Sequence, residues 1–211
     1  MSDPIPDRQP LGRQARPIQE ALLAWYAAER RDLPWRRTSD PYSIWVSEVM
    51  LQQTQVATVI PYYQRFLSAF PTVCALAAAD LDRMLALWAG LGYYARARHL
   101  HAAARLVMER HGGEVPGDPA AFRALPGVGP YIAAAVLSIA FGQDVAAIDT
   151  NAARVLCRLF DYAGDLTRAA GKRTLRALAA ALLPAGRAAE HNAAMMELGA
   201  TICLARGPRC A

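Results

Sequence analysis

Apolar residues recur every third or fourth position through most of this chain, and alternation with a period of two is almost absent, which predicts helices throughout. A first helix is expected over residues 17–30, with Ile18, Leu22, Trp25 and Tyr26 on its buried face. After a loop at 31–36, Asp40-Pro41 places a capping carboxylate ahead of a proline that suits the first helical position. The helix that follows is expected over 41–55. Its spacing puts Ile44, Glu48, Leu51, Gln52 and Gln55 on one stripe, with Trp45, Val49 and Val56 on a more apolar face. Further helices are expected at 62–69, 73–78 and 81–88. A glycine break at 89–92 then leads through Tyr93-Tyr94-Ala95-Arg96 into a helix to about residue 110. Asp118-Pro119 opens a short helix, and Leu125-Pro126-Gly127-Val128-Gly129-Pro130-Tyr131 joins it to the apolar run ending at Phe141. Helices to about 162, then over 166–183 and 187–204, complete the chain.

The fold class expected is therefore all-α. Two lobes are expected, one of residues 41–145 and one of the N- and C-terminal helices, with residues 1–16 as a flexible tail. A hydrophobic content of 54% in 211 residues excludes a disordered chain. No apolar run is long enough to span a membrane and no secretory segment is read at the N-terminus, so a cytoplasmic setting is expected. The net charge of +5 points mildly toward nucleic acid. Lys172 is the only lysine, which restricts any amine nucleophile to that side chain or the chain terminus.

Four stretches carry candidate chemistry. The paired glycines Gly127 and Gly129 permit a tight turn, and the free N–H groups of the helix beyond it suit an anion such as a DNA phosphate; an ordinary interhelical turn has the same signature. Glu48, flanked by apolar and amide side chains, is placed to be partly desolvated and to donate a proton, although a surface glutamate on an amphipathic helix reads alike. Asp149 caps a helix and can also face a substrate. Tyr93, Tyr94, Arg96 and Arg98 at a glycine-hinged turn suit base stacking and phosphate pairing, or a plain core with solvated arginines. Two carboxylates acting on one sugar bond are the usual equipment of glycosidic cleavage, but sequence spacing does not bring these two together.

The runs at 33–36, 45–56 (Trp-Val-Ser-Glu-Val-Met-Leu-Gln-Gln-Thr-Gln-Val) and 90–96 resemble adenine DNA glycosylases of the MutY type, within the helix-hairpin-helix DNA glycosylase superfamily. So do the hairpin, Ile148-Asp149-Thr150-Asn151 and Glu197-Leu198-Gly199-Ala200. The resemblance implies a two-lobed helical glycosylase with its active-site cleft between lobes, acting as a monomer on duplex DNA that contains adenine opposite 8-oxoguanine or guanine, with no membrane association and, in a bacterium, at the nucleoid. It implies that Glu48 protonates the adenine ring and later helps activate water, that Asp149 stabilises the sugar cation, and that Asn151 orients the reacting groups. Arg31, Trp35 and Leu51 are implied to line the adenine pocket, Gln53 and Tyr93 to enter the duplex, and the amides of Gly127, Val128 and Gly129 to hold a phosphate.

The sister enzyme endonuclease III has a strand-nicking lysine two residues past the second hairpin glycine. Tyr131 stands there in this chain, so a monofunctional enzyme is preferred and Tyr131 joins Glu48, Asp149 and Asn151 as the catalytic set. Endonuclease III-like or mismatch-thymine glycosylase activity, or a non-catalytic DNA-binding module, are the alternatives. Thr150 and Ala193 depart from the family pattern. The family also binds a [4Fe–4S] cluster through four cysteines spaced Cys-x6-Cys-x2-Cys-x5-Cys. Only Cys203 and Cys210 match, and the sequence is read as stopping inside that loop. Cys74 and Cys157 are expected to be small buried side chains.

Overall fold

The computed structural model describes residues 15–210, and these are helical with no β-strand. Of the expected tail at 1–16, Ala15 and Arg16 instead begin the first helix, and the rest lies outside the described residues. Residues 31–143 form one compact unit, and the described residues on either side of them form a second.

The unit of residues 31–143 has a 3-10 turn at Pro34–Arg36 and seven helices among the described residues. These are α2 (Pro41–Leu51), α3 (Val56–Ala69), α4 (Val73–Ala77), α5 (Leu81–Trp88), α6 (Tyr94–His111), α7 (Pro119–Arg123) and α8 (Pro130–Phe141), with α1 kept for the helix that precedes them. Trp45, Phe66, Trp88, Leu100, Phe122 and Ile132 are almost completely buried. Their rings meet edge to face, Trp45 on Phe122 at 5.4 Å and Phe66 on Trp88 at 5.8 Å. Asp40 caps α2 as expected, accepting from the Ser43 amide at 2.8 Å.

Two boundaries differ most from the sequence reading, the others by three residues or fewer. Helix α2 stops at Leu51 rather than 55, because Gln53 takes a left-handed conformation with φ 59° that no α-helix continues through. Helix α3 starts at Val56 rather than 62 and runs through Pro61. Helix α2 is also buried on every side, from Tyr42 to Met50 excepting Ser43, since it packs against α3, α6 and α8.

In the second unit, α1 (Ala15–Glu29), α9 (Thr150–Leu159), α10 (Ala169–Leu182) and α11 (Ala188–Thr201) share a core of Leu22, Tyr26, Val155, Leu156, Leu175, Leu182 and Met195. Helix α11 packs on both α1 and α9. No helix among the described residues is long and apolar enough to cross a membrane.

Candidate active site

Glu48 sits in the middle of buried α2 and is only 4% exposed, so it is not the surface glutamate of an amphipathic helix. Tyr131, the second residue of α8, donates its hydroxyl to Glu48 Oε2 at 2.5 Å, which leaves Oε1 as the oxygen able to carry a proton. The hairpin explains how the two meet. Gly127 takes φ 77° and approaches α6 so closely that a Cβ there would lie 2.8 Å from His99 Cβ. This turn aims α8 along α2, and the face Ile132–Leu137 is buried. Gly129 is the cap residue of α8, which starts with Pro130, so the Gly129 amide lies at the positive end of a helix dipole, whereas the Val128 amide, expected to serve phosphate as well, donates to the Leu125 carbonyl at 3.2 Å and closes the turn.

Gln53 and Tyr93 are both exposed and both left-handed, with φ 59° and 49°. Tyr93 is 57% exposed and forms the cap residue of α6. The expectation that Arg96 serves phosphate does not hold. Its guanidinium is turned inward, donating to the carbonyls of Val49 and Met50, each at 2.9 Å, and to the Gln52 carbonyl. Arg98 and His99 remain exposed on α6. A small open cavity is lined by Trp45, Gln52, Arg96, His99, Pro126 and Gly127.

Trp35 lies buried in the 3-10 turn, edge-on to Tyr63 at 5.5 Å. Arg31 is half-buried, its carbonyl accepting from Arg36 Nη1 at 2.8 Å, and Leu51 is half-buried as the last residue of α2.

In the second unit, Asp149 caps α9. Its Oδ1 accepts from the Ala152 amide at 2.7 Å and its Oδ2 from Asn151 Nδ2 at 2.9 Å. Burial raises the Asp149 carboxyl above its ordinary value, while those bonds and the Arg154 charge pull against it. Cap and candidate catalytic group are thus one side chain. Three residues that sequence reasoning did not assign hold it. Arg154 donates to Asn151 Oδ1 at 2.8 Å, to the Gly199 carbonyl at 2.7 Å and to the Cys203 carbonyl at 2.8 Å. Asn192, buried on α11, accepts from the Ala147 amide at 3.0 Å and donates to the Val145 carbonyl at 2.8 Å, fixing the segment that leads to Asp149. Gly199 lets α11 touch α9, since a Cβ there would lie 2.6 Å from Asn151 Cβ. The only local sign in the sequence was a glycine inside a helical pattern.

Cys203 is buried and its Sγ accepts from Arg158 Nη1 at 3.2 Å, whereas Cys210 is exposed. Among the described residues, no three His, Cys, Asp or Glu side chains come together to hold a metal. A shell of four thiolates is therefore not met by the residues present. Cys74 is exposed on α4 rather than buried, because α4 turns that face outward, and Cys157 is half-buried against the α9–α11 core.

Residues 46–180 match the family model of the HhH-GPD superfamily base excision DNA repair protein. The chain is 47% identical over 199 residues to the adenine DNA glycosylase of Homo sapiens, covering 90% of this chain and 36% of that protein. It is 44% identical over 190 residues to the adenine DNA glycosylase of Mycolicibacterium smegmatis, covering 90% of this chain and 64% of that one. The chain thus spans between about a third and two thirds of the length of these curated relatives. Among solved structures, a thermostable thymine-DNA glycosylase superposes with a TM-score of 0.86 at 31% identity, covering 94% of this chain and 92% of that one.

Proposed function

This chain belongs to the HhH-GPD superfamily of base excision DNA repair proteins, and we propose that it hydrolyses the N-glycosidic bond of adenine mispaired with 8-oxoguanine or guanine in duplex DNA, without cutting the strand. The observation that carries this reading is the 2.5 Å bond from the Tyr131 hydroxyl to buried Glu48. A carboxyl kept from water and held in one rotamer by a phenol is a positioned acid. The phenol occupies the place where a strand-nicking enzyme of this superfamily needs an amine, and Lys172 is exposed on α10. The relatives named adenine DNA glycosylase support adenine as the base released.

In the proposed reaction Glu48 transfers its proton to the adenine ring. The C1′–N9 electron pair departs with the base, and the sugar becomes an oxocarbenium cation. Water adds to C1′ and returns a proton to Glu48, so the acid is regenerated. Asp149, desolvated yet held by Ala152 and Asn151, supplies the negative charge that stabilises the cation. Asn151 orients Asp149. Arg31, Trp35 and Leu51 line the pocket of the displaced base. Gln53 and Tyr93 enter the duplex, because the base must leave the stack before its bond is reached. The hairpin holds a backbone phosphate through the Gly127 and Gly129 amides, with Val128 between them bonded to Leu125 to keep the turn.

The test is a set of duplexes carrying A:8-oxoguanine, A:G or G:T, treated with protein and then with hot alkali. Scission at adenine that needs alkali and disappears in Glu48→Gln is expected; the amide keeps the shape and accepts the Tyr131 bond but has no acidic proton to transfer. Scission at thymine in G:T redirects the reading to thymine excision. Breaks without alkali redirect it to a strand-nicking enzyme, and binding with no labile site to a DNA-binding module.

A further inference from the structure

Among the described residues of the unit 31–143, one guanidinium joins two turns that the sequence keeps apart. Arg96 Nη1 donates to the carbonyls of Val49, Met50 and Gln52, which close helix α2, and Nη2 donates to Thr54 Oγ1 at 3.2 Å. Gln53 lies in sequence between two of these acceptors, Gln52 and Thr54, with its own side chain exposed. The same Nη2 donates to the Gly92 carbonyl at 3.3 Å, and that carbonyl also accepts from Trp88 Nε1 at 3.0 Å. Tyr93 follows directly, and its ring lies 5.1 Å from the guanidinium carbon. Gln53 and Tyr93 are two of the three non-glycine residues with positive φ among the described residues, and each flanks an acceptor of Arg96. Such backbone strain persists only where the surroundings over-determine it. The four N–H bonds of the two terminal nitrogens are shared among five acceptors, while Nε is buried without a partner.

We propose that Arg96 is a positioning residue that presents Gln53 and Tyr93 to the duplex at a fixed separation, so that it governs displacement of the target base and not cleavage of its bond. The proposal rests on the reading above that these two side chains enter the duplex. Arg96 touches no substrate in this role. A free phosphate-binding arginine has N–H groups to give, whereas those on the two terminal nitrogens of Arg96 are committed to the protein. Lysine keeps the charge but presents three donors from one point, and it cannot span the α2 end and the Gly92 turn together.

Base displacement and bond cleavage separate when the substrate already has its adenine out of the stack. Arg96→Lys is therefore compared with wild type in single-turnover release of adenine from an A:8-oxoguanine duplex and from a duplex with a single bulged adenine. The lysine variant is expected to lose about 100-fold on the paired duplex, the cost of misplacing a recognition element by about 1 Å. It should stay within about three-fold of wild type on the bulge, where displacement costs least. With 2-aminopurine in place of the target adenine, the fluorescence rise on binding should fall in parallel. The pH profile on the bulge should remain that of wild type. Thr54→Ala removes one acceptor without touching Arg96 or the candidate catalytic groups, and should shift the paired substrate in the same direction by a smaller factor; it serves if Arg96→Lys does not fold.

Equal losses on the two substrates, or no loss on either, overturn the positioning role while leaving the proposed activity standing. A wild-type protein that releases adenine from neither substrate removes the activity and the positioning role together.

Discussion

Replacing Gly199 by Ala adds one methyl group to the interior of α11, and in an ordinary helix that change stabilises by up to about 1 kcal/mol. Here the sign should reverse. The new Cβ would lie 2.6 Å from Asn151 Cβ and 2.9 Å from both the carbonyl carbon and oxygen of Asn151, against an ordinary contact that begins at 3.4 Å. Helix α9 must retreat by the difference, 3.4 − 2.6 = 0.8 Å, or more. The obstacle is the backbone of the first turn of α9, which cannot rotate aside as a side-chain end can. Overpacking of this kind costs about 1–3 kcal/mol. For a chain of this size each kcal/mol lowers Tm by about 2–4 °C, so a fall of about 2–12 °C is expected. The retreat also strains the Arg154 bond to the Gly199 carbonyl and displaces Asn151 beside Asp149. A shift near 1 Å in such a site costs about 100-fold in rate. Thermal melting and single-turnover adenine release measure the two effects, with Ala200→Gly as a control that weakens the same helix and leaves the rate alone. A Gly199→Ala protein that melts at or above wild type refutes the close-packing argument. One that melts lower but releases adenine at the wild-type rate refutes the claim that this contact positions Asp149.

Asp149→Asn should melt higher than wild type near pH ~7 while losing adenine release. Because burial lifts the folded carboxyl above its unfolded value of 3.8, the folded state binds the proton more tightly, and the ionised form costs stability as pH rises through that window; the difference in Tm should therefore shrink as pH falls into the carboxylate range. His191, buried with Nδ1 unpartnered, is pushed down to about 4 from 6.5, so stability is lost as pH falls through that interval, by up to about 3 kcal/mol at 1.36 kcal/mol per unit, and urea unfolding of His191→Gln should lack this acid limb. Tyr131→Phe removes the 2.5 Å bond that holds the Glu48 carboxyl in place and should slow adenine release by about 5- to 100-fold, the cost of about 1–3 kcal/mol for a buried polar group that loses its partner, with affinity for abasic product DNA unchanged; a rate within two-fold of wild type would mean that the phenol does not position the acid.

What could be read along the chain depended on the range of the interaction. Asp40 before Pro41, the Gly127–Gly129 turn and the Asp149 cap are set by neighbours within three or four positions, and each is formed where the sequence puts it. The burial of Glu48 was beyond such reasoning. Its helix carries Tyr42, Trp45, Val49 and Met50 around its whole circumference, and a pattern of that kind does not say which sides are covered until α3, α6 and α8 are in place. The partner of Glu48 lies 83 positions away. The same holds for the bonds of Arg154 to the Gly199 and Cys203 carbonyls, for those of Asn192, and for the contact of Gly199 with Asn151, all of which join positions 45 or more apart.

Arg96 shows how a short-range reading misleads when the decisive acceptors are remote. Beside two tyrosines and a glycine hinge, an arginine has the composition of a phosphate contact. Its fate is decided by helix α2, which ends abruptly and leaves carbonyl groups without helical donors. Left unpaired in a buried place, those carbonyls would cost more than an exposed phosphate contact gains, and a planar group with several donors satisfies them together. The helix ends there because Gln53 is left-handed, so the turn that exposes Gln53 also creates the need that draws Arg96 inward. Exposure of one side chain and burial of the other are then a single structural event. On this argument, a substitution that lets α2 continue through residue 53 would release Arg96 even though Arg96 itself is untouched.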